Sequence, residues 1–338
     1  MIVRMIPVLV FASGMVMSVL ATRNAHADVI EIHNTMSPGG AEEAALQRFQ
    51  SIVNDEFSGR LSVAIYLDGE RGDEADVLEK LHLGQTQMAL TGGMFMGEYA
   101  AEFDAVSVPF VFPDWPAVEH YITQTDSGAA LQAAAREHGN LVYLGPQMRA
   151  FRHMTSAVPI SSPDDLDGLL MRLPNIPTWI DVWETLGVQP VIMPAPEFVE
   201  AMRTGEVQAH ENSLASPYTR KLWEVQDYVI TTAHVSFPWH WVASAAWWET
   251  LTNEEQMILT QAVEQARQHG IATEMETDQA YREALIDRGM TFIDVEQAPF
   301  REKAAPAVEQ ALTKKSAQVA RDIEIAISAT RSSLQPQQ

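Results

Sequence analysis

Arg152 and Arg172, twenty positions apart, and Asn212, forty further on, are the residues whose types and spacing suit binding chemistry. Each lies in a mostly apolar or turn-forming neighbourhood: Phe151-Arg152-His153-Met154-Thr155, Leu170-Met171-Arg172-Leu173-Pro174-Asn175 and His210-Glu211-Asn212. A guanidinium in such surroundings needs a partner, because burying an unpaired charge is costly. Two arginines and an amide converging on one cleft would make a carboxylate receptor, since the arginine fork matches a carboxylate with two parallel bonds. Pro174 turns the chain out of a strand and so sets Arg172 near that strand's carboxyl end. Asn175, just beyond, is a further candidate. The residues alone leave other roles open. Arg172 could serve an internal salt bridge, Arg149 competes with Arg152, and Asn212 could cap a helix from Leu214 onward.

Aromatic side chains offer walls for a ligand's carbon skeleton. Trp179 and Trp239 are the candidates, whereas Trp183, Trp241, Trp247 and Trp248 are assigned to core packing. The ten histidines form no His-Glu-x-x-His pair, and His234 and His240 are six apart, which is not a helical ligand spacing. Cysteine is absent, which removes disulfides, thiol chemistry and Cys-ligated zinc. No nucleophile elbow and no phosphate-cradling glycine loop is present. His210 and Glu211, with His240, are all that an acid–base mechanism could use, and adjacency alone is weak support. The sequence thus gives no positive sign of catalysis, and no metal ligand or cofactor is assigned.

With 338 residues and 46% apolar content, the chain is long enough for two domains with ample core. Residues 1–27 read as an export signal. Arg4 is followed by an apolar run of about 15 residues, short of the roughly 20 that a span needs, and Ala25-His26-Ala27 forms a small-x-small cleavage site. The expectation is a protein exported to the periplasm. Cleavage removes two arginines and no acid, taking the formal net charge from −23 to −25. Such a surface repels nucleic acid and anionic membranes, so an anionic ligand would need a focused positive cleft.

Hydrophobic periodicity supplies the frame. Strands are expected at Val29–Ile32, 61–67 and 88–90, with helices over 42–57 and 74–83 between them, the β-α-β-α-β order of a parallel sheet. One helix is expected over 116–139, interrupted at Gly128, then a strand over 141–144. The alternation restarts with strands at 170–173, 191–193 and 228–231 among helices over 178–186, 196–203 and 214–223. A strand over 241–244 follows. Asn253 is expected to cap a helix reaching about Arg288, with Gly270 as a kink, and a final helix spans 307–328. The fold class is α/β, with two domains, a cleft between them and a long helix spanning both. Residues 28–149 with about 238–277 are assigned to one domain, and 150–237 with about 278–338 to the other.

The middle of the chain resembles the solute receptors of tripartite ATP-independent periplasmic (TRAP) transporters, the DctP-like family. The likeness rests on Phe-Arg-His-x-Thr at 151–155, Pro159-Ile160, Asp165-Leu166-x-Gly168, Arg172-x-Pro174 and Leu186-Gly187. It continues through Glu197 ahead of Ala201-Met202, Gly205, Glu211-Asn212, Glu224-Val225-Gln226 and His234, and weaker similarity covers nearly the whole chain after residue 27. The resemblance implies a periplasmic binding protein fold that closes on its ligand. It implies that Arg172 pairs with both oxygens of a small organic carboxylate, with Arg152 and Asn212 adding polar contacts. It implies delivery to a small and a large integral membrane subunit driven by an ion gradient. A sensor-kinase subunit sharing the same pocket is the alternative partner, and an exported enzyme acting on a carboxylate is the more distant one. Three stretches depart from the family pattern: Gln208-Ala209-His210 before Glu211, Ala195 where an aromatic residue is common, and Ala157-Val158 before Pro159.

Overall fold

A computed structural model describes residues 28–36, 38–92, 105–193, 197–313 and 317–333. The segment 1–27 and Ala195 lie outside the described residues. In the first half, β1 (Asp28–His33), β2 (Leu61–Tyr66) and β3 (Met88–Gly92) alternate with α1 (Ala41–Phe57) and α2 (Glu74–His82). Then come α3 (Trp115–Gln124), α4 (Asp126–Gly139) and β4 (Leu141–Gln147). The chain crosses through residues 148–151 into the second half. This holds β5 (Arg152–Ser156), β6 (Leu170–Leu173), α5 (Pro177–Thr185), β7 (Gln189–Ile192), α6 (Phe198–Thr204), β8 (Ala209–Asn212), α7 (Ala215–Thr219) and β9 (Tyr228–Val235). It crosses back through 236–238 into β10 (Trp239–Ser244) and α8 (Ala245–Trp248). The rest is α9 (Asn253–Asp287), β11 (Thr291–Ile293), α10 (Gln297–Thr313) and α11 (Ala317–Ser333).

Two sheets result, in the orders β2-β1-β3-β10-β4 and β11-β9-β5-β8-β6-β7. In the first, β1 pairs parallel with β2 and β3, and β10 runs antiparallel between β3 and β4. In the second, β6 pairs parallel with β7 and β8, and β5 runs antiparallel between β8 and β9. In each sheet the antiparallel strand is the one reached directly across a crossing, β10 in the first and β5 in the second. The crossings bring residues 148–151 and 236–238 side by side, and the Ser236 hydroxyl donates to the Arg149 carbonyl at 2.8 Å.

Helix α1 buries Leu46, Phe49, Val53 and Phe57 in one cluster with Leu259, Ala262, Val263 and Ala266 of α9. Burial of each such large side chain stabilises the fold by roughly 1.5–3 kcal/mol. The far end of α9 packs Leu285 with Leu214 and Val229 of the second half, so this helix spans both. Gly270 does not break it. A Cβ there would lie 2.7 Å from Gln147 Nε2 and 2.8 Å from Ala45 Cβ, so glycine permits close approach of α9 to α1 and β4. The helix begins one residue earlier than the sequence suggests: Thr252, not Asn253, is the cap, in a reciprocal bond with Glu255.

The single helix expected over 116–139 is two. The break falls at Thr125, whose hydroxyl caps α4 through the Gly128 amide, and Gly128 is small because a Cβ there would strike the Ile122 carbonyl. The final helix is likewise two elements, α10 and α11. Helix α11 packs Val319, Ile323 and Ala326 among Val118, Tyr121 and Ile122 of α3, and Asp322 accepts the Ser127 amide at 2.7 Å. The chain end thus returns to the first half, whereas the sequence reading groups residues 278–338 with the second.

Candidate ligand-binding cleft

A cavity of about 610 Å³ opens where the crossings meet α9, within the range of roughly 300–1,000 Å³ typical of small-molecule sites. Its first wall is Met36 and residues 38–42, the loop into α1 and the start of that helix. Its base is Arg149 and Ala150 of the first crossing. Its second wall is Phe198, Asn212, Ser213, Ser216, Thr219 and Arg220, and its third is Glu274, Thr277, Asp278 and Tyr281 of α9. Of the six residues singled out in the sequence, Asn212 lines this space. The other five stand behind or beside it.

Arg172 lies in β6, one residue before the strand ends, and is 5% exposed. Its Nε and Nη2 both donate to the Met193 carbonyl, at 3.0 and 2.8 Å. Among the described residues that side-on grip leaves Nη1 and the second Nη2 hydrogen, which together form the end-on fork that fits a carboxylate. Burial pushes the guanidinium below its usual range. The ring of Phe198 lies 5.4 Å from its Cζ and 5.1 Å from the Cζ of Arg220, and both Phe198 and Arg220 line the cavity. His210 stacks behind Phe198 with centroids 4.2 Å apart.

Arg152 begins β5 and is committed to Glu211 on the neighbouring β8. Nε meets Glu211 Oε2 at 2.5 Å, while Nη2 meets Oε1 and the Glu211 carbonyl, each at 2.9 Å. Glu211 is fully buried, and His234 Nε2 joins its Oε2 at 3.1 Å. Burial alone would push the Glu211 carboxyl up, but Arg152 and the bond from His234 outweigh it and hold it at about 2. Arg152 keeps only Nη1 for a ligand. The His210-Glu211 pair is likewise placed: His210 is driven down to about 3 by burial and neither ring nitrogen has a hydrogen-bond partner among the described residues.

Asn212 ends β8 opposite His153, and its side-chain oxygen accepts the Ser213 amide at 2.9 Å. It does not cap a helix running from Leu214, and its amide nitrogen makes no hydrogen bond among the described residues. Trp179 and Trp239 support rather than line the cavity. The Trp179 indole donates to the Ser107 carbonyl at 2.7 Å with Arg152 over its ring at 5.1 Å. Trp239 donates to Glu42 Oε1 at 2.7 Å with Arg149 over its ring at 5.0 Å. Asn175 is exposed in the loop between β6 and α5.

Sequence reasoning did not reach Phe198, Arg220 or the acids of α9. Phe198 follows Glu197 in the family-like segment, a positional signal that could have found it. Arg220 and Glu274 lie among ordinary surface-like residues and carry no signal. Glu274 accepts the Ala150 amide at 2.7 Å, and burial raises it to about 7, while Asp278 is raised to about 6 for the same reason. Among the described residues no group of three or more His, Asp or Glu side chains is placed to hold a metal ion, and no helix is long and apolar enough to cross a membrane.

Residues 33–315 match the DctP family, described as bacterial extracellular solute-binding protein, family 7. A solute-binding protein of Roseobacter denitrificans is 29% identical over 266 residues, 78% of this chain and 81% of the relative. Its crystal structure, a TRAP periplasmic solute-binding protein with bound L-galactonate, superposes with a TM-score of 0.71 over 89% of this chain and 98% of that one, at 26% identity. The C4-dicarboxylate-binding periplasmic protein DctP of Rhodobacter capsulatus is 24% identical over 289 residues, 85% of this chain and 86% of the relative. A TRAP periplasmic solute-binding protein of Ochrobactrum anthropi, with its C-terminus bound in the ligand-binding pocket, reaches a TM-score of 0.85 over 91% of this chain and 97% of that one. At 22% identity that likeness shows the two-domain fold alone.

Proposed function

The chain belongs to the bacterial extracellular solute-binding proteins of family 7, and we propose that it is a periplasmic receptor for a small organic carboxylate. It holds the acid in the cleft between its two sheets and hands it, unchanged, to the small and large membrane subunits of an ion-gradient-driven TRAP transporter. Residues 1–27 direct export and are removed. The receptor performs no chemistry of its own.

One observation carries this reading: Arg172 is buried against the cavity-lining Phe198, and among the described residues its guanidinium donates only to the Met193 carbonyl, side-on. A buried cation with free donors gains most from an anion that arrives with its own water stripped away. Arg152 contributes Nη1, and Asn212 contributes its amide nitrogen from the cavity wall. The two halves close over the bound acid through the paired crossings, and ligand favours the closed state by its extra contacts there. The acids bound by the Roseobacter and Rhodobacter relatives, L-galactonate and C4-dicarboxylates, support the carboxylate class.

A thermal-shift screen of residues 28–338 against C4 to C6 organic acids tests this. A ligand that binds only the folded state raises the melting temperature by linkage. The expected result is a rise with one class of acids that disappears in Arg172→Ala while circular dichroism shows that variant folded. A rise that survives Arg172→Ala refutes the assigned role.

A further inference from the structure

The cleft contains a cation that the carboxylate grip of Arg172 leaves unused. Arg149 forms the base of the cavity, on the first crossing between the sheets. Its backbone is held from two sides, by the Ser236 hydroxyl on its carbonyl and by Glu274 on the next amide, that of Ala150. Its guanidinium lies over the Trp239 ring at 5.0 Å, and Arg149 itself lines the cavity. Among the described residues that guanidinium donates no hydrogen bond and has no carboxylate within ion-pair distance.

The three acids whose charges reach Arg149 are committed elsewhere. Glu42 accepts the Trp239 indole N–H at 2.7 Å, Glu274 accepts the Ala150 amide at 2.7 Å, and Glu74 accepts the Thr91 hydroxyl at 3.0 Å and the Gly92 amide. Burial raises Glu274 to about 7, so it is a weak competitor at neutral pH. Arg149 is therefore a partly desolvated, positioned cation that lines the cavity with no hydrogen-bond or ion-pair partner for its guanidinium among the described residues, an arrangement that an incoming anion relieves. The facing wall supplies Ser213, Ser216 and Thr219, whose hydroxyls suit a hydroxylated carbon chain.

We propose that Arg149 is a second anion-recognition residue, and that the receptor thereby selects hydroxylated acids carrying two carboxylates over those carrying one. This rests on the carboxylate-receptor reading, in which Arg172 holds the first carboxylate.

Isothermal titration of the chain from residue 28 tests it with matched pairs on one carbon skeleton: galactonate with galactarate, and gluconate with glucarate. The expected result is that the diacid of at least one pair binds roughly 10- to 100-fold tighter than its monoacid, the size of a hydrogen-bonded contact to a charged group. Arg149→Gln abolishes that ratio, Arg149→Lys restores part of it, and melting curves show both variants folded. Equal affinity within every pair, or an Arg149→Gln loss equal for mono- and diacid, overturns the inference. If monoacid and diacid bind equally and Arg172→Ala removes both, the receptor reading stands and the role of Arg149 falls. Binding by neither member of any pair also overturns the proposed selectivity, and leaves the receptor reading to its own screen.

Discussion

Glu211→Gln isolates the ion pair that holds the second sheet together at the cleft. Glu211 is fully buried between Arg152 and His234. Removing one partner of a buried pair costs roughly 3–5 kcal/mol, because the other charge is left uncompensated. Glutamine keeps one acceptor, and the bond from Arg152 to the Glu211 carbonyl survives, so the lower end of that range applies. The displaced pKa gives a similar size: a carboxyl held at about 2 instead of 4.5 corresponds to roughly 3 kcal/mol. Unfolding entropy scales with length and gives roughly 1.5 °C per kcal/mol for a chain of this size, so the melting temperature should fall by roughly 5 °C at pH 7. The sign with pH follows from the direction of the shift. A depressed carboxyl stabilises the fold above its unfolded pKa and loses that contribution as pH falls toward its folded value. The gap between wild type and Glu211→Gln should therefore narrow below pH 4.5. Differential scanning calorimetry across pH 3–8 reads both effects, with Glu283→Gln on the exposed face of α9 as the control. A Glu211→Gln melting temperature within about 1 °C of wild type at pH 7 would refute the assigned energetics, since that is the size expected of a surface change.

Glu274→Gln has the opposite pH signature. Its raised carboxyl, at about 7, costs the folded state stability as pH rises from 4.5 through 7. The variant keeps an acceptor for the Ala150 amide, so it should melt several degrees above wild type at pH 8 and level with it at pH 4. Gly270→Ala should lower stability by roughly 1–3 kcal/mol through overpacking against Gln147 and Ala45, despite the gain of about 1 kcal/mol expected in an open helix. Urea melts that show a net gain would mean that α1 and α9 shift apart freely.

The parts of the fold that follow from periodicity were legible. The parallel run β1 to β3 with its covering helices, and the strand that carries Arg172 to its carboxyl end, are written in alternating or helically spaced apolar residues. Strands β5 and β8 were not, because Arg152-His153-Met154-Thr155-Ser156 and Ala209-His210-Glu211-Asn212 are mostly polar. They occupy interior positions of the second sheet, where Arg152, Glu211 and His234 satisfy one another across strands far apart in sequence. That mutual satisfaction is a tertiary property which no local window contains. The same holds for the aromatic residues. Trp179 and Trp239 stood out by type, yet each spends its indole on a distant partner, while Phe198 faces the cavity by virtue of where α6 starts. Arg149 and Arg152 could be named as rivals from sequence, but only the Glu211 contact separates a committed guanidinium from an open one.

The most direct test is titration calorimetry with the strongest acid from the thermal-shift screen, on wild type and on Arg172→Ala, with mass spectrometry of the recovered ligand. The account predicts one site per chain, a ligand recovered unchanged, and at least a roughly tenfold loss of affinity in Arg172→Ala, as befits a lost charge-assisted contact. Equal affinity in the two proteins, or a ligand recovered chemically altered, would contradict it.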